Sequence, residues 1–151
     1  MPYSKELHNS LNHVSAQHII LTEKFNEFAK FVKNCVDNPS IANKNIVLSL
    51  QNLDKGIIST AFAGRTTTFV FNTILKDDGN LEGSVRCFIL HDFPEPKQIR
   101  LGEFAFNLEG VTNLSLPNED SKITMNSDFG TLHIVLHFIR EGLRYFNSFR
   151  H

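Results

Sequence analysis

Three groups of residues have types and spacings that chemistry can use. His133, His137 and Glu141 recur at i, i+4 and i+8, which on a helix stacks two imidazoles and a carboxylate along one face. Two histidines one turn apart can share a zinc ion. Here, however, they enclose Ile134, Val135 and Leu136, so the Glu of an HExxH motif is missing. Glu141 also stands two turns from His133, too far for one ion to meet all three easily. The plainer reading is a solvated polar face with a Glu near arginines, and no metal or cofactor is assigned.

The second group is His91, Asp92 and Glu95, at a strand end and in the Pro-rich loop after it. A histidine beside carboxylates at such a place can do acid/base work, and it is equally ordinary turn punctuation. The third is Arg65, Arg86 and Arg100. Arg86 and Arg100 fall on adjacent predicted strands, where two arginines sharing a face can clamp a phosphate or carboxylate, or simply line the wet side of a sheet. No GxGxxG, Walker A or GxSxG segment occurs, and no spacing singles out a Ser/His/Asp triad. No catalytic residue is assigned, and the reading leans away from an enzyme.

The elements that must position these residues centre on residues 57–108, which read as four successive strands. Residues 66–75 (TTTFVFNTIL) are rich in β-branched and aromatic side chains, as a pleated, half-buried surface requires. Residues 57–63 precede them, and Gly64-Arg65 between the two, with Gly first, predicts a type II′ hairpin turn. Lys76-Asp77-Asp78-Gly79-Asn80 predicts the next turn. Residues 84–91 then return as the third strand and 99–108 as the fourth. The fourth changes phase, with Ile99 and Leu101 on one parity and Phe104, Phe106 and Leu108 on the other. A β-bulge at Gly102-Glu103 would bring both sets to one face.

A long helix is predicted over residues 4–36, a stretch without Pro or Gly after its start. Leu7, Leu11, Val14, Leu21, Phe25, Phe28, Val32 and Cys35 follow a heptad a/d seam, with His18 filling its one gap. Ser4 is a fair N-cap and Asn38-Pro39 a stop. The seam can lie on the sheet of its own chain, or it can pair with a second copy or a partner helix. Ile19, Ile20 and Phe31 widen the stripe and favour the first arrangement. His18 reads either as a neutral histidine bonded to a neighbour, as a pH-sensitive spot or as a ligand-binding group.

Residues 46–53 (IVLSLQNL) fit both periodicities; the reading leans to a short helix or turn tucked under the sheet. Residues 111–116 and 122–126 predict two short further strands. Ser127-Asp128-Phe129-Gly130 reads as a break, with Thr131 capping a closing helix over 131–149, where Gly142 costs about 1 kcal/mol against Ala.

At 151 residues the chain predicts one domain, 1–151, able to bury about 70% of its unfolded surface. Fourteen Phe and no Trp point to a Phe-filled core, or to a cavity lined by aromatic rings. A net charge of −1 gives no basic face for nonspecific nucleic-acid binding. No apolar run is long enough for a membrane span, and residues 1–10 show no secretory signal, so a cytoplasmic protein with reduced Cys35 and Cys87 is expected.

The fold expected is α+β: an antiparallel sheet of four to six strands, a meander over 57–108 at its centre, with the long N-terminal helix and the C-terminal helix packed on one face. Phe69 and Phe71 point one way and Val70 and Ile74 the other, so something is expected to cover the second face: residues 46–53, another chain or a small ligand. The expected function is a small cytoplasmic, bacterial or phage, non-catalytic binding protein acting through protein–protein contact, in the manner of an inhibitor, an immunity protein or a chaperone. Its partner would be another protein or a second copy, met through Leu7, Leu11, Val14, His18, Leu21 and Phe25. The alternative is a ligand-binding protein or enzyme with a Phe-lined pocket anchored by Arg86, Arg100, His133 and His137.

Overall fold

The computed structural model describes residues 5–38, 45–91, 97–115 and 122–147. The elements in order are helix α1 (Lys5–Asp37), strand β1 (Val47–Ser49), a 3-10 turn (Leu53–Lys55), β2 (Ile57–Phe62), β3 (Arg65–Leu75), β4 (Leu81–His91), β5 (Lys97–Phe106), β6 (Val111–Ser115), β7 (Lys122–Thr124) and helix α2 (Asp128–Asn147). The strands form one antiparallel sheet in the order β1-β2-β3-β4-β5-β6-β7, each beside its neighbour in sequence.

Among the described residues the sheet has seven strands rather than four to six. The additional one is β1, in the stretch expected to be a helix or turn. Its Val47, Leu48 and Ser49 pair with Ala61, Thr60 and Ser59 at the edge of the sheet. Period-2 pairing to an available strand edge outweighs the helical spacing of Ile46, Leu50 and Leu53. Ile46 is buried, and Leu48, Leu50 and Leu53 pack against the same core.

The β2–β3 turn sits one residue earlier than its sequence suggests. Phe62 pairs with Arg65, so the loop is Ala63-Gly64, with φ of 52° and 77°. Two successive positive φ values define a type I′ turn, whose twist matches the strands. The 76–80 turn forms as expected, closed by Lys76 N–H to Asn80 O at 2.9 Å, with Gly79 at φ 86°. The β5 bulge also forms, one residue from its predicted place. Cys87 pairs with Gly102 and Phe88 with Arg100, leaving Leu101 between. Leu101 thereby packs against the core with Phe104 and Phe106, and Ile99 pairs with buried Ile89.

The closing helix starts earlier than expected. The Ser127 hydroxyl accepts the Gly130 N–H at 3.0 Å, which makes Ser127 the N-cap instead of Thr131. Thr131 turns inward and donates to Met125 O at 2.7 Å. Only glycine fits at position 130, since a Cβ there would clash with Thr124 O. The supposed break is therefore the helix's first turn.

Both helices lie on one face of the sheet, and phenylalanine rings knit the layers. Phe25 of α1 stacks on Phe71 of β3 at 4.9 Å and 12°. Phe28 meets Phe69 and Phe104 edge-on, each at 6.3 Å. Phe138 of α2 meets the same two rings, at 5.9 and 6.1 Å. Each ring so buried contributes about 1.5–3 kcal/mol, and each well-set pair about 0.5–1.5 more. The Phe-rich composition is a packed core. Among the described residues no helix is long and apolar enough to cross a membrane.

Candidate functional site

The two arginines of the central strands share a face, the one turned away from the helices. On β4, Val85 and Cys87 are buried in the core while Arg86 between them is exposed. Arg86 and Arg100 converge on one carboxylate: Arg86 Nε lies 3.9 Å from Glu103 Oε2, and Arg100 pairs with Glu103 Oε1. The clamp geometry is thus filled by a carboxylate of the chain itself. Arg65 lies on the opposite parity of β3, with Thr67 and Phe69.

The histidines lie on the other side of the sheet, in α2. His133 is half-buried, with its ring 4.4 Å from Phe129, and exposed His137 lies 5.0 Å from Phe138. Glu141 faces Arg144 at 3.4 Å. The four ligand-binding residues expected from the sequence therefore fall into two pairs on opposite faces. Among the described residues no three His, Cys, Asp or Glu side chains come together as a metal site. Asp92 and Glu95 lie outside the described residues, as does the side chain of His91.

Neither cysteine has the surroundings of a nucleophile. Burial, with the Asp128 carboxylate as a smaller cause, raises the Cys35 thiol's pKa, and its Sγ faces Asp128 O at 3.5 Å. Burial alone pushes the Cys87 thiol far above its ordinary range.

The heptad seam of α1 divides in two. Leu21, Phe25, Phe28 and Val32 are at most 1% exposed and form the core with the chain's own sheet. Val14 packs at the core's margin. Leu11 and Leu7, further along the same seam, are 60% and 51% exposed. The change falls at a polar latch that the sequence did not reveal. Gln17 Oε1 accepts the Leu81 N–H at 2.8 Å, and its Nε2 donates to Asn80 Oδ1 at 3.1 Å. His13 Nε2 reaches the same Asn80 oxygen at 3.2 Å. The latch holds α1 against the β3–β4 turn, and every residue from Lys5 to His13 is exposed. At the same end Ile74 and Leu75 of β3 are 44% and 60% exposed.

His18 bonds through Nδ1 to Thr73 Oγ1 at 3.2 Å. It stands at the mouth of a half-open cleft of about 290 Å³ between α1, the 3-10 turn and β3. Thr22, Asn26, Asp54 and Lys55 also line this cleft, above Leu53 and Phe71. The sequence carried one sign of it: His18 in the seam, and Thr22 and Asn26 beside the seam, repeat every four residues as polar positions.

No protein-family model, no curated protein and no solved structure matches this chain.

Proposed function

We propose that this is a non-catalytic binding protein that docks another polypeptide on the first turns of α1. The observation that carries this reading is Leu11, an apolar residue in register with a buried core seam and yet 60% exposed. Leu7, one helical turn earlier and 51% exposed, extends the apolar surface along the helix. An amphipathic helix that offers i and i+4 leucines past the edge of its own domain suits a helix-in-groove or helix-pair contact. The polar groups that could have argued for catalysis are paired within the chain or stand apart. The partner's matching feature is an apolar groove or helix stripe, on a second copy or on a different protein.

The test is native mass spectrometry and affinity capture of the wild type beside a Leu7→Ser/Leu11→Ser variant of unchanged circular dichroism. A dimer or a defined complex that the double substitution abolishes supports the reading. A monomer whose captured proteins are the same with and without the two leucines refutes it.

A further inference from the structure

We infer that the cleft between α1, the 3-10 turn and β3 is a binding site for a small zwitterion of the free amino-acid kind. Three elements converge on it. α1 supplies the polar side chains of His18, Thr22 and Asn26, spaced one helical turn apart. The 3-10 turn supplies adjacent charges of opposite sign, Asp54 and Lys55. β3 supplies Phe71, which with Leu53 gives the cleft an apolar wall.

The turn is held firmly. Gly56 N–H donates to Leu53 O at 2.9 Å, Ile57 N–H to Asn52 O at 3.1 Å, and Phe71 N–H to Gly56 O at 2.8 Å. The backbone carrying both side chains is thus fixed to the strand that carries the apolar wall, so both are anchored on one rim of the cleft. Among the described residues neither the Asp54 nor the Lys55 side chain takes part in an ion pair or hydrogen bond.

Charge and size choose the ligand class. A simple anion would leave Asp54 opposing it, and a simple cation would meet Lys55. A zwitterion answers both, its ammonium toward Asp54 and its carboxylate toward Lys55. The Asn26 carboxamide and the His18 ring can bond either end. A cleft of about 290 Å³ falls just below the ~300–1,000 Å³ range of drug-sized ligand sites, which suits a ligand as small as one apolar amino acid. Its side chain would lie against Leu53 and Phe71.

This site shares no residue with the docking surface proposed above, so either proposal can fail alone. The experiment is isothermal titration of the full chain with L-leucine and L-phenylalanine, and with the carboxamide and N-acetyl form of each. It is repeated on Lys55→Ala and Asp54→Ala, both at exposed positions, with circular dichroism as the check on folding. A free amino acid should bind, and each capped form should bind at least about tenfold more weakly. Lys55→Ala should abolish discrimination against the carboxamide, and Asp54→Ala discrimination against the N-acetyl form. No binding of either free acid up to ~10 mM, equal affinity for free and capped forms, or discrimination that survives both substitutions would overturn the inference.

Discussion

The Gln17 side chain on α1 accepts the backbone N–H of Leu81, 64 residues away, at 2.8 Å. The bond is buried and closes the first backbone donor of β4 with a helix side chain. Replacing Gln17 by Ala leaves that donor without its acceptor, which costs about 1–3 kcal/mol. Urea unfolding of the Gln17→Ala variant should show a lower midpoint with an unchanged slope.

The start of α2 gives two substitutions of different size. Ser127→Ala removes the N-cap acceptor and should cost about 1 kcal/mol. Gly130→Ala would ordinarily favour a helix, yet its Cβ would clash with the Thr124 backbone oxygen, and backbone has no rotamer to retreat into. It should destabilise more than Ser127→Ala. Thermal unfolding of the two variants side by side reads the order.

The seam of α1 should be energetically divided. Leu21→Ala opens a cavity in the core and should cost about 2–5 kcal/mol. Leu11→Ala should change stability by no more than about 0.5 kcal/mol, since its side chain is 60% exposed in the folded chain. Equal losses at the two positions would mean that Leu11 is buried in solution.

The cysteines set a pH dependence. Burial raises the folded-state pKa of Cys87 above its ordinary value of 9.0. Below that value the thiol is neutral in both the folded and unfolded states and its contribution to stability is complete. Above it the unfolded chain releases the proton and the folded chain does not, so stability falls as pH rises through the alkaline range. Cys87→Ala should flatten that alkaline loss in a series of unfolding curves. The folded wild type should also react slowly with a thiol reagent at neutral pH.

Much of this architecture could be read from residue patterns, because local chemistry decides it. The Thr/Phe/Ile composition of β3, the Asp-Gly-Asn turn before β4 and the phase change on β5 each report a backbone event within a few residues. What escaped the sequence depends on distant partners. Residues 46–53 carry both periodicities, and only the free edge of β2 selects the strand. Gly130 looks like a helix breaker until Thr124 O is seen against it. Arg86 and Arg100 share a face as their strand positions implied, but Glu103 stands between them. The cleft joins residues of α1 with Asp54 and Lys55 of a turn far along the chain, a proximity no local pattern encodes. The seam was visible as a whole. Its division near Gln17 was not, because it depends on where the sheet beneath it ends.

The central claim is that the first turns of α1 meet another polypeptide, and site-specific photo-crosslinking tests it most directly. A benzophenone amino acid is placed at position 11, with a control at exposed Lys30 further along the same helix. The probe at position 11 should join the protein to one discrete second chain, either itself or another protein, while the probe at position 30 gives none. The absence of a crosslink at position 11, or the same diffuse pattern from both positions, would contradict the account.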